Sequence, residues 1–135
     1  MDGSIVAIGD WDAHQVRVFE FYEGSGWIQK GGDITEDDAC HFGWSVSLSL
    51  DGSVVAVGDI WGGDNDRNGR VRVYGFNESS GWTQHGDVID GELAGDANGY
   101  SVSLSADGTI VAVGMRQNEY NSETRIGAVR IFKFE

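Results

Sequence analysis

The chain has 135 residues, 40% of them hydrophobic, the length and apolar content of one ordinary domain with a core. A formal net charge of −13, from 9 Lys and Arg against 22 Asp and Glu, argues against nucleic acid and against an anionic membrane surface, because both are bound through clustered cations. No proline, 21 glycines and the single Cys40 point to an all-β chain with glycine turns and no intrachain disulfide, and no stretch keeps a helical period over three turns.

The chain opens on Asp2-Gly3, a preferred hairpin corner, followed by the apolar run Ile5-Val6-Ala7-Ile8-Gly9. His14 to Phe21 alternates apolar and polar residues and reads as a period-2 strand, and a further run starts at Gly26-Trp27-Ile28-Gln29 and reaches Ile34. Phe42-Gly43-Trp44-Ser45-Val46-Ser47-Leu48 then begins a second round, in which Asp51-Gly52, Val54 to Gly58, Gly69 to Phe76, and Gly81-Trp82-Thr83-Gln84 through Ile89 copy their counterparts. Asn98-Gly99-Tyr100-Ser101-Val102-Ser103-Leu104 starts a third, with Asp107-Gly108, Ile110 to Gly114 and Gly127 to Phe134. A period of roughly 50 to 60 residues points to a propeller or another repeat array. With the strands of one unit labelled a to d, the order is b-c-d, a-b-c-d, a-b-c: ten strands in a single repeat domain over 1–135, with units near 1–42, 43–98 and 99–135.

The expected fold is therefore all-β, of antiparallel four-stranded blades forming a partial β-propeller of about two and a half to three blades. Strand b is almost wholly apolar, which predicts burial on both faces. Strand c sets Arg17, Arg72 and Arg130 on an exposed polar face, paired with carboxylates. Trp27 and Trp82 recur at the start of strand d and read as packing residues, and Cys40 reads as a small half-buried residue with no catalytic role. Propellers need about four blades or more to close. Completion by further copies, or by the other blades of a longer chain, is thus expected, and the open edges of the first b and last c strands favour self-association. No segment has the apolar length of a bilayer span, so membrane insertion is not expected.

Phe42-Gly43-Trp44-Ser45-Val46, with Asn98-Gly99-Tyr100-Ser101-Val102 as a looser copy, resembles the opening of the FG-GAP-like β-propeller repeats, of which the integrin α-subunit head is the familiar relative. The resemblance covers essentially the whole chain. It implies a non-catalytic binding or adhesion module of a larger extracellular or cell-surface protein. Two departures stand beside it. The family's calcium-binding loop between strands a and b is replaced by the tight corners Leu50-Asp51-Gly52 and Ala106-Asp107-Gly108, and the closing Gly-Ala-Pro by Gly9-Asp10, Gly58-Asp59 and Gly114-Met115.

Three aromatic residues, Trp11, Trp61 and Tyr120, occupy the b-to-c connections, which emerge on one face of a propeller; with Asp, Asn and Gly beside them they suit stacking on sugar rings or anchoring a protein partner. Asp64, Asp66 and Asn68 carry the one-three-five spacing of a calcium loop, although the twelfth position is Gly75 instead of a bidentate glutamate. Apart from calcium at these residues no cofactor is expected. The acidic d-to-a connections, Asp33, Glu36, Asp37 and Asp38 and then Asp87, Asp90, Glu92 and Asp96, suit capping of backbone amides. Carboxylate pairs of this kind also serve glycoside cleavage, at a separation that sequence spacing does not supply. His14, His41 and His85 fall in unlike contexts and build no metal-ligand set. No phosphate loop or nucleophile elbow occurs, so the expectation is not an enzyme.

Overall fold

The computed structural model describes residues 2–38, 40–63, 67–116, 119–120, 124–125 and 127–134. These residues form antiparallel sheets and no helix. In the first sheet β1 (Ile5–Asp10) pairs with β2 (Gln15–Tyr22), whose far side takes β3 (Gly26–Gln29) on one half and β4 (Ile34–Thr35) on the other. The second sheet holds β5 (Phe42–Leu48), β6 (Val54–Asp59) and β7 (Arg70–Asn77), with β8 (Gly81–Gln84) and β9 (Ile89–Asp90) sharing the far side of β7. The third has β10 (Asn98–Leu104), β11 (Ile110–Met115) and β14 (Ala128–Lys133). Between its last two strands lies a separate hairpin of β12 (Glu119–Tyr120) and β13 (Thr124–Arg125).

Fourteen strands are thus present among the described residues, where ten were expected. Two of the extra strands arise because strand d is split. Gly31 and Gly86, at φ 74° and 77°, interrupt it so that the chain clears Phe76 and Trp82 in one case and Phe134 in the other. The other two are the β12–β13 hairpin inside the third b-to-c connection.

The sheets stack face to face, and period-2 alternation assigns the faces. Val55 and Val57 share a core with Val16 and Ile34 of the first sheet, while Ala56 on the opposite face of β6 joins Val71, Val73, Val111 and Val113 in the second core. Among the described residues the middle sheet is the one packed on both faces. This corrects the expectation for strand b: β6 is buried on both faces, but Val6 and Ile8 of β1 are exposed because no sheet covers them. Arg72 is likewise buried rather than exposed, since the connection between the first two sheets folds over it. It meets Asp38 at 3.0 Å, and the neighbouring Tyr74 hydroxyl donates to Glu36. Burial and that carboxylate push the Tyr74 phenol far above its ordinary range. Arg17 and Arg130 remain partly exposed, on Asp33 at 2.8 Å and Glu92 at 3.2 Å. Trp82 packs into the first core and donates its indole N–H to the Lys30 carbonyl at 2.7 Å. Trp27 occupies the same repeat position with nothing over it and is exposed.

Each a-to-b corner uses one device. The Asp51 carboxylate accepts from the Ser53 N–H at 3.0 Å, the Ser53 hydroxyl at 2.7 Å and the Ser49 hydroxyl at 2.8 Å, and Asp107 does the same with Thr109 and Ser105. Asp2 accepts from the Ser4 N–H and hydroxyl. Side-chain and backbone donors hold all three carboxyls below the ordinary aspartate value, Asp107 at about 2. The guanidinium of Arg17 and the amide of Gln29 do the same for Asp33, again to about 2. A carboxyl depressed in the folded chain contributes stability that is full above its unfolded value, and that stability is lost as pH falls through the folded one. Denaturant midpoints are accordingly expected to hold from neutral pH to about pH 4 and to fall between about pH 4 and about pH 2, less steeply in Asp107→Asn than in the parent chain.

Candidate functional site

One end of the stacked sheets gathers the b-to-c connections after β1 and β6 and the d-to-a connections that precede β5 and β10. Its aromatic side chains form a continuous row. His41 stacks on Trp11 with ring centroids 5.0 Å apart and planes 12° from parallel, and meets Trp61 edge-on at 4.0 Å. Trp44 lies 6.0 Å from Trp11, and Tyr100 lies 5.7 Å beyond Trp44. Arg67 stands over Trp61 at 5.0 Å and Arg116 over Tyr100 at 5.5 Å, so a cation closes each end. Trp11, Trp44, Trp61 and Tyr100 are each between 37% and 46% exposed, which leaves ring faces and edges open to a ligand.

Backbone geometry aims these side chains. Gly43 and Gly99, at φ 94° and 89°, sit in matching bulges of β5 and β10, where the register slips between Phe42 and Ser45 and between Asn98 and Ser101. Such a bulge redirects the following residue, here Trp44 and Tyr100, out of the pleat. A β-carbon at Gly43 would come 2.9 Å from the Gln15 carbonyl oxygen, and one at Gly99 equally close to that of Arg70, so both positions need glycine for the approach as well as for φ. His41 is set by Asp59. That carboxylate is 1% exposed and accepts from the backbone N–H groups of His41 at 2.8 Å and Cys40 at 3.3 Å.

Burial lowers the His41 pKa against the attraction of Asp59, with His14 and Arg67 adding to the drop. Burial therefore favours the neutral form of the ring between the two tryptophans. Cys40 is exposed instead of half-buried, because Asp59 draws in the backbone of residues 40 and 41 and leaves the thiol outside.

Of the residues expected from the sequence, Trp11 and Trp61 come together in this row, joined through His41. Tyr120 falls in β12, and its side chain lies outside the described residues. Asp64 and Asp66 also lie outside them. Asn68 stitches two connections together: its side-chain amide N–H donates to the Gly91 carbonyl at 2.8 Å, and its backbone carbonyl accepts from the Asn98 N–H at 2.9 Å. Among the described residues no three His, Cys, Asp or Glu side chains converge as metal ligands. The acidic connections turn mainly to arginines: Asp38 and Asp90 hold Arg70, while among the described residues of these connections Asp96 caps a backbone amide, that of Leu93 at 2.9 Å.

Sequence reasoning missed Trp44, Tyr100 and His41. For the first two a signal was present, an aromatic at the same place after glycine in both copies of the a-strand opening; for His41, placed by a long-range carboxylate, there was none. No family model and no curated protein matches the sequence.

Proposed function

We propose that the chain is a run of blade-type repeats of a β-propeller, FG-GAP-like in its a-strand openings, and that it works as a non-catalytic binding or protein-interaction module whose contact surface is the aromatic row. The observation that carries this reading is the contiguity of Trp61, His41, Trp11, Trp44 and Tyr100 on one end of three stacked sheets, with the three tryptophans and Tyr100 each open to a ligand on part of the ring. Large aromatics set side by side supply contact area at low entropic cost and are the usual anchors of protein and sugar recognition. Acidic neighbours such as Asp10 and Asp12 add acceptors for ligand hydroxyls or amides. The acidic carboxylates of the d-to-a connections are tied to Arg70, Arg72 and Arg130, which supports a structural duty for them over acid and base roles.

The test is a glycan array and a peptide display screen, followed by tryptophan-fluorescence titration of whatever binds. Trp11→Ala and Trp61→Ala are each expected to weaken binding by about 30-fold, the loss of one aromatic anchor. Tyr22→Ala, exposed at the opposite end of the sheets, should leave it unchanged. Binding that survives both tryptophan substitutions would remove the row as the contact surface. A structural, self-assembling role is the second reading, favoured by the uncovered faces of the two outer sheets.

A further inference from the structure

The two interfaces inside the chain are copies of one another. Between the second and third sheets, Val111 and Val113 of β11 share a core with Val71 and Val73 of β7; between the first and second, Val55 and Val57 of β6 share one with Val16 of β2. Each time, strand b of the later sheet inserts over strand c of the earlier one. The receiving positions recur in the third sheet as Val129 and Ile131, because Gly114↔Val129 and Ala112↔Ile131 repeat the register of Gly58↔Val71 and Ala56↔Val73. The inserting positions recur in the first sheet as Val6 and Ile8, opposite Phe19 and Arg17 just as Val55 and Val57 stand opposite Tyr74 and Arg72.

Both sets are bare. Val129 and Ile131 are 69% and 72% exposed, and Val6 and Ile8 are 38% and 52% exposed, whereas their counterparts at the two interfaces inside the chain are fully or almost fully buried. Further along the first sheet, Phe21 and Trp27 form an exposed edge-to-face pair with centroids 5.4 Å apart, in the place where Phe76 and Trp82 lie tilted against each other at 5.2 Å under Gly31. Arg17 would bring no unpaired charge to such a contact, since Asp33 of its own sheet already holds it at 2.8 Å.

We infer that a second copy of this chain seats Val6 and Ile8 of its first sheet on Val129 and Ile131 of the third, head to tail. The contact is heterologous: each copy keeps one inserting and one receiving face free, so association grows into a closed ring or an open stack. A net charge of −13 on each copy opposes it, and added salt therefore strengthens it. The inference is independent of the aromatic row, which lies at the ends of the sheets and not on their faces.

Light scattering over a wide range of concentration and salt tests it. The parent chain is expected to gain mass with both. Ile8→Glu removes the inserting face and Ile131→Glu the receiving face, and each variant alone should associate about tenfold more weakly or worse. Their equimolar mixture should recover a dimer, since each still carries the face the other has lost. Both side chains are solvent-exposed in a single copy, and melting temperature at low concentration checks that the variants fold. As a second readout, Ile8→Cys and Ile131→Cys in a Cys40→Ser background should form a disulfide-linked dimer preferentially when mixed. A parent chain that stays monomeric throughout, an Ile8→Glu variant that associates like the parent, or a mixture that stays monomeric would each overturn the inference.

Discussion

Gly58→Ala is expected to destabilise the chain by about 3 kcal/mol, near the upper end of what overpacking costs, and to lower its melting temperature by roughly 10 °C. A β-carbon on Gly58 would lie 2.1 Å from the carbonyl oxygen of Gly99 and 2.4 Å from the hydroxyl of Ser45. The first of these atoms belongs to the backbone of the next sheet, which cannot give way without opening the stack. The same residue in the other repeats separates the two contacts. Gly9 would meet the Gly43 carbonyl at 2.1 Å with no serine beside it, and Gly114 would meet the Ser101 hydroxyl at 2.3 Å with no third-party carbonyl. Gly9→Ala should therefore cost nearly as much as Gly58→Ala. Gly114→Ala should cost no more than about 1 kcal/mol, because a serine rotor can turn away and the alanine restricts the unfolded chain. Equal losses at Gly58 and Gly114 in denaturant melts would show that the serine, and not the contact between sheets, is what excludes a side chain.

Asp59→Ala should cost about 3 kcal/mol and should also disorganise the aromatic row. The Asp59 carboxylate is buried and serves the backbone N–H groups of Cys40 and His41, which alanine would leave without an acceptor. With that tether gone His41 has no reason to stay wedged between Trp11 and Trp61, so tryptophan emission should shift and ligand binding fall with stability. Asp59→Asn keeps one acceptor oxygen and should lose about half as much. Asp10, at the same repeat position in β1, is exposed and among the described residues accepts from the Ala13 N–H at 3.1 Å, so Asp10→Ala should cost less than about 1 kcal/mol. A row whose emission is unchanged in Asp59→Ala would mean that packing between the rings suffices to hold it.

Much of the architecture is written in local chemistry. Asp51-Gly52 and Asp107-Gly108 declare their corners because an aspartate that accepts from the residue two places on, followed by a glycine at positive φ, needs only neighbours in sequence. The apolar runs of β6 and β11 declare strands for the same reason. The pairing of the strand c arginines with carboxylates was also legible: Arg17 meets Asp33, Arg72 meets Asp38 and Arg130 meets Glu92. What failed concerned faces. Val6, Val55 and Val111 are equivalent in sequence, yet the first is exposed and the others are fully buried. Arg17 and Arg72 are equivalent too, and only the second is buried.

The repeat, the antiparallel strands with their corners, and Trp11 and Trp61 as aromatics on equivalent connections can all be read from the residues in order. The tertiary structure alone decided which copies of each strand are covered, that bulges at Gly43 and Gly99 turn Trp44 and Tyr100 toward the same end, and that Asp59 brings His41 between two tryptophans. Corners and strand periods depend on residues a few places apart, which a sequence displays. Burial depends on which sheet lies above which, and no residue carries that information in its immediate neighbours.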